Sequence, residues 1–137
     1  MRILSGVIVV GLLGMLALAA YVRLAPSDPA RWHVLPEGVE EGRGAGYALR
    51  RIEAGPDTLA TLDEIARATP RTNVLAGTVE DGTITYVTRS ALMGFPDYTT
   101  VALEGDTITL YARLRFGASD MGVNAARLEA WLAALAP

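Results

Sequence analysis

Three arginines and two tyrosines, Arg89, Tyr98, Tyr111, Arg113 and Arg115, fall at alternating positions within runs of strand-forming residues. Alternation puts such residues on one face of a sheet. A guanidinium is a rigid fork that grips carboxylate or phosphate oxygens through paired hydrogen bonds, and a phenol ring packs on the apolar body of a ligand. That chemistry suits a shallow surface for an anionic or lipid-like small molecule. The same residues, interleaved with Thr78, Thr85 and Thr100, also match an ordinary solvated strand face.

A second constellation, Asp120, Asn124 and Arg127, is spaced i, i+4 and i+7, which aligns it with Trp131 on one helical face. Its plain reading is a helix cap with an intrahelical ion pair. Its richer reading is a polar network reaching Arg71, Asn73 or Asp97. Asp97 lies in Gly94-Phe95-Pro96-Asp97-Tyr98, a rigid turn because proline holds its own φ and restricts the residue before it. Asp97 and Asp120 would make a carboxylate pair for acid–base work or a weak metal site, but neither a histidine nor a third ligand accompanies them.

Other chemistry is poorly served. The four serines, Ser5, Ser27, Ser90 and Ser119, lie in no nucleophile-elbow pattern, and the single histidine, His33, stands apart from them. Cysteine is absent, which excludes disulfides, zinc–thiolate sites, thiol nucleophiles and cysteine-linked lipid. There is no glycine-rich phosphate loop. No catalytic residue, metal or cofactor is therefore expected. The formal charge of −3, from 12 basic and 15 acidic groups, argues against nucleic acid as a partner. All the basic groups are arginine, which fits either forked anion recognition or the codon usage of a GC-rich genome.

The elements that must position these residues begin with an apolar run. No charge interrupts residues 3–22, long enough at a rise of about 1.5 Å per residue to cross about 30 Å of hydrocarbon. Arg2 and Arg23 bracket it, and Tyr21 sits where an aromatic would meet the headgroups. Residues 1–24 are thus expected to form a transmembrane anchor, with the bilayer as partner of residues 3–22 and the domain on the extracytoplasmic side. Ala17-Leu18-Ala19 also fits a signal-peptide processing site, although the apolar region is longer than such peptides use. Residues 25–46, with Pro26, Pro29, Pro36 and several glycines, predict an irregular linker, in which Trp32 either rests at the interface or docks on the domain.

Residues 47–137 predict one α+β domain. A strand over Tyr47 to Glu53 precedes a helix from Asp57 or Thr58 to about Ala68, with Leu59, Leu62, Ile65 and Ala66 as its apolar stripe. Asp81-Gly82 predicts a two-residue hairpin turn pairing Val79 with Ile84, Gly77 with Tyr86 and Leu75 with Thr88. Gly105-Asp106 predicts a second, pairing Glu104 with Thr107, Leu103 with Ile108 and Val101 with Leu110. Ser119 or Asp120 would cap a last helix to about Leu135, carrying Leu128, Trp131, Leu132 and Leu135. The sum is an antiparallel sheet of about four to five strands, built from two consecutive hairpins, with two helices on one face.

Several motifs in order, Thr69-Pro70-Arg71-Thr72-Asn73-Val74-Leu75-Ala76-Gly77, Tyr86-Val87-Thr88-Arg89-Ser90, Gly94-Phe95-Pro96-Asp97-Tyr98 and Ser119-Asp120-Met121-Gly122-Val123-Asn124, give a resemblance. From Tyr47 to Leu135 the chain resembles the bacterial and plastid family called domain of unknown function 1499. The resemblance implies a compact domain that often follows a membrane segment, and motif residues that share a surface or a network. Ala118 stands where relatives often carry a basic residue and Leu114 where a serine is common; both departures weaken an anion-binding reading. The expected function is a membrane-tethered, non-enzymatic envelope domain that binds an anionic or lipid-like ligand or a partner protein. The alternatives are an enzyme using the carboxylate and arginine cluster, or a structural assembly subunit.

Overall fold

The computed structural model describes residues 1–136; Pro137, the last position of the expected domain, and the side chain of Arg2 lie outside the described residues. The apolar run forms helix α1, Arg2–Leu24, long and apolar enough to cross a membrane, with Val22 in its last turn buried against the domain. Anchors and signal sequences share these properties. The helix ends where the Ala25 amide donates to Tyr21 O and Pro26 follows.

Residues 25–46 carry more structure than a linker needs. Asp28 accepts from the Ala30 amide at 3.0 Å and Pro29 fills the first helical position, so a single turn, α2, forms over Pro29–Trp32. Further on, β1, Gly42–Arg43, pairs with β2, Tyr47–Glu53. The domain continues with α3, Thr58–Ala68, then β3, Thr72–Thr78, β4, Thr83–Arg89, β5, Pro96–Glu104, β6, Thr107–Leu114, and α4, Val123–Leu135. All strands run antiparallel in the order β1-β2-β6-β5-β4-β3. The expected α+β architecture holds, with six strands rather than four to five, the addition being β1 inside the expected linker.

The two hairpins differ in how far they follow their turn signals. At the second, Glu104 faces Thr107, Leu103 faces Ile108 and Val101 faces Leu110, as expected. At the first, Thr78 rather than Glu80 faces Thr83, so the loop has four residues. The Thr78 hydroxyl accepts from the Asp81 amide at 3.2 Å and donates to Asp81 Oδ2 at 2.8 Å, a side-chain closure that displaces the two-residue turn. The longer loop sets Gly77 opposite Ile84, and a bulge at Leu75 then shifts the register again, so that Val74 faces Tyr86 and Thr72 faces Thr88, in place of the expected pairs. Gly77 adopts φ 84°, and a Cβ there would collide with the Thr83 carbonyl and the His33 ring.

One sheet face carries the core. Ile84, Tyr86, Val101, Ile108, Leu110 and Ala112 meet Leu59, Leu62 and Ala66 of α3 and Leu128 and Trp131 of α4. Each fully buried aliphatic or aromatic side chain contributes about 1.5 to 3 kcal/mol. Tyr86 meets Trp131 edge to face at 5.6 Å and donates to Asp63 Oδ1 at 2.7 Å, while the Trp131 indole donates to Thr69 Oγ1 at 2.9 Å. Tyr86 and Trp131 thus carry satisfied polar groups into the core, whereas the buried Thr99 hydroxyl, between Tyr86 and Ala112, has no partner among the described residues. Helix α4 begins later than expected: Gly122 is its cap residue, and Asp120 serves the first turn from two residues earlier by accepting from the Gly122 amide at 2.8 Å.

Candidate functional site

The opposite sheet face is covered, and the cover is the protein's own lead-in. Thr85, Tyr98 and Thr100 are fully buried and Arg113 is 7% exposed, so this is not the solvated strand face that residue types alone allow. Trp32, placed by α2, stacks flat on Tyr98 with centroids 4.1 Å apart. Ser27 Oγ and the Tyr98 hydroxyl share a hydrogen bond of 2.6 Å. His33 Nδ1 meets Thr85 Oγ1 at 2.9 Å, and Thr85 meets Thr100 at 2.8 Å. Gly77, lacking a side chain, leaves the room His33 occupies.

Three arginines, two in the sheet and Arg115 just past the end of β6, hold this cover in place. Arg113 donates to Thr100 Oγ1 at 2.8 Å and to the Trp32 carbonyl. Arg115 donates to the Pro26 carbonyl at 2.9 Å and the Tyr98 hydroxyl at 3.1 Å. Arg89 donates to Gly94 O at 2.9 Å and, at 3.2 Å, to Val22 O in the last turn of α1. The guanidinium of Arg113 lies 5.8 Å from the Trp32 ring and 4.8 Å from that of Tyr111, contacts in the cation–π range. Among the described residues none of these three arginines forms a salt bridge. Burial pulls the Arg113 guanidinium down to about 10, with the phenols of Tyr111 and Tyr98 opposing the shift. Its charge is held by neutral oxygens and ring faces.

On the helix-bearing face the second constellation assembles. Arg127 donates to Asn124 Oδ1 at 2.6 Å and pairs with Asp97 Oδ2 at 3.6 Å, and Asn124 Nδ2 donates to Asp120 Oδ2 at 2.7 Å. Asn124 is fully buried. The helical spacing aligned three members; the β5 register, with Asp97 opposite Leu114 and Thr88, brings the fourth. Burial pushes the Asp97 carboxyl up against the opposing pull of Arg127, and burial pulls the Arg127 guanidinium down despite Asp97. Desolvation thus outweighs the pairing on both partners.

Arg71 joins neither cluster directly. With φ 56° it turns back at the start of β3, its Nε donating to Arg89 O at 3.0 Å while the Arg89 amide donates to Arg71 O at 3.0 Å. Asn73 is exposed on β3 and belongs to neither cluster.

Beside the polar network a groove of about 600 Å³ runs between α3 and α4. Ile65, Ala68, Pro70, Val123, Ala130 and Ala134 make its apolar walls, and Arg71, Arg127, Thr69 and Thr88 supply the polar groups. Asp97 and Asp120 face their partners instead of the groove. Among the described residues no group of three or more His, Cys, Asp or Glu side chains is placed to hold a metal ion.

Residues 38–135 match the family described as "Protein of unknown function (DUF1499)". The chain belongs to this family. The matched region contains the sheet, both arginine clusters and the groove, and begins after α1, Ser27, Trp32 and His33. No curated protein matches the chain. Among solved structures, a DUF4468 family protein from Bacteroides ovatus ATCC 8483 is similar at 16% identity over 64% of this chain and 63% of that chain, with a TM-score of 0.32. The match spans less than two thirds of that protein, and so slight a likeness bears on neither fold nor function.

Sequence reasoning placed Thr85 and Thr100 on this face; the residues that it left out of the site are Ser27 and His33. Their signal is weak: only Trp32, a large aromatic in a proline-rich stretch, marks a segment with something to bury.

Proposed function

We propose that this chain is a membrane-tethered, non-enzymatic envelope domain that binds an anionic, lipid-like ligand in the groove between α3 and α4. The observation that carries the reading is the position of Arg71. It stands at the rim of an apolar groove, has no salt-bridge partner among the described residues, and is bonded to Arg89, which in turn reaches the last turn of α1. A carboxylate or phosphate would take the fork of Arg71, and a hydrocarbon chain would lie along Ile65, Ala68, Ala130 and Ala134. Arg127 is already matched by Asp97, so the ligand's charge falls to Arg71.

On this reading the sheet-face arginines do not bind the ligand; they bind the lead-in. The groove lining offers hydroxyls and guanidiniums but no carboxylate or imidazole for proton transfer, which favours binding over catalysis. Helix α1 is the anchor and the bilayer its partner, with the domain on the extracytoplasmic side.

The test is titration of the detergent-solubilised full chain with a fluorescent fatty acid and with short-chain phosphatidylglycerol. Arg71→Ala should weaken binding about tenfold, the loss of one charge-assisted hydrogen-bond pair. A folded Arg71→Ala variant that binds both probes as tightly as the parent would sink the proposal.

A further inference from the structure

The geometry points to a second membrane contact: the end of the domain nearest α1 lies on the bilayer through the loops 90–95 and 115–122. This rests on α1 being a membrane anchor and adds a docking surface to it.

The loop 90–95 joins β4 to β5 and sits on the last turn of α1. Arg23 donates to the Leu92 carbonyl at 3.0 Å, and its side chain packs where a Gly94 Cβ would be. Whatever depth Arg23 has, Leu92 shares. The residue ending a membrane span lies at headgroup level, so this loop enters the interface. Leu92 is 86% exposed, a large aliphatic group with no partner inside the protein.

The loop 115–122 joins β6 to α4 at the same end of the sheet, because β4 ends, β5 begins and β6 ends there. Phe116 meets Tyr21 of α1 at 6.0 Å and Phe95 at 6.4 Å, so a chain of aromatic rings ties the helix end to both loops. Aromatic rings are the side chains that favour the headgroup layer. Met121, farther along this loop, is 92% exposed and held at φ 52°, a conformation that a long side chain seldom adopts. The backbone holds an apolar group outward where the protein offers it nothing to pack on. A bilayer underneath would cover Leu92 and Met121 together.

The absence of cysteine makes the test direct, since each introduced cysteine is the only labelling site. Leu92→Cys, Met121→Cys, Asp81→Cys and Leu13→Cys variants of the full chain would carry a nitroxide in vesicles of phosphatidylcholine and phosphatidylglycerol. The ratio of oxygen to nickel-chelate accessibility is then read. Asp81 lies in the β3–β4 turn at the far end of the sheet and marks water; Leu13 lies mid-helix and marks hydrocarbon. The expected result is a several-fold higher ratio at 92 and 121 than at 81. A lipid-exposed label at 13 with a water-exposed label at 92 or 121 would overturn the docking surface and leave the anchor standing. A water-exposed label at 13 would remove the anchor, and the docking surface with it.

Discussion

The Trp32 indole lies on the Tyr98 phenol with ring planes 15° apart, while the carbonyl of the same tryptophan accepts from Arg113, 81 residues away in the chain. One residue of the lead-in thus serves both an aromatic ring and a buried guanidinium of the outer sheet face. Trp32→Ala should destabilise the domain by about 2 kcal/mol, from lost burial and stacking. Denaturant unfolding of the solubilised full chain would show it as a lower midpoint, and an unchanged midpoint would mean that the cover does not contribute to stability.

Asp97 and Arg127 test a different balance. Both side chains are mostly buried, at 16% and 10% exposed, and burial acts against the charge of each. Asp97→Asn and Arg127→Gln each remove one buried charge and leave the other without its counter-ion. The double variant Asp97→Asn with Arg127→Gln should cost less than the sum of the two singles. A double-mutant cycle measures the difference, and additive losses would mean that the pair is not coupled.

The same pair sets a pH dependence of known sign. The Asp97 carboxyl is raised in the folded state, so the folded protein binds its proton more tightly than the unfolded chain does. Its contribution to stability is fully present below the unfolded pKa and is lost as pH rises through the raised folded pKa. Carboxyl-carbon NMR should show Asp97 titrating above the usual aspartate range. Unfolding midpoints of Asp97→Asn should lack that part of the pH profile.

Two glycines at positive φ should answer differently to alanine. Gly77, at 84°, has the Thr83 carbonyl and the His33 ring in the way of a side chain, whereas Gly105, at 65°, opens onto space. Gly105→Ala should cost about 1 kcal/mol from its backbone conformation alone. Gly77→Ala should cost clearly more and disturb the His33 ring. Thermal unfolding and the His33 proton resonances distinguish the two, and equal losses would show that position 77 tolerates a side chain.

Local rules made the second hairpin legible because Gly105-Asp106 has no competing side chain nearby. The first hairpin misleads because the Thr78 hydroxyl and the Asp81 carboxylate close a longer loop, and because Val74-Leu75-Ala76 is a continuous apolar run in which a bulge leaves no trace. Strand β1 escapes notice since two residues in a glycine-rich stretch carry no period; its pairing with β2, supported by Arg50 donating to Gly42 O at 2.8 Å, makes it a strand. The Asp120, Asn124 and Arg127 network is readable for the opposite reason, its spacing being set by a single helix. Arginine, tyrosine and threonine on a strand cannot reveal whether water or chain covers them. Here the cover comes from far away in sequence, as when Ser27 meets Tyr98 across 71 residues.

The carbonyls of Val22, Pro26 and Trp32 are each taken by a different arginine, Arg89 of β4, Arg115 just past β6 and Arg113 of β6. A stalk pinned at three points is a bracket and not a hinge. If α1 spans a bilayer, any tilt that it adopts to match hydrocarbon thickness turns the sheet through the same angle. Membrane thickness then becomes an input to the direction in which the α3–α4 groove opens.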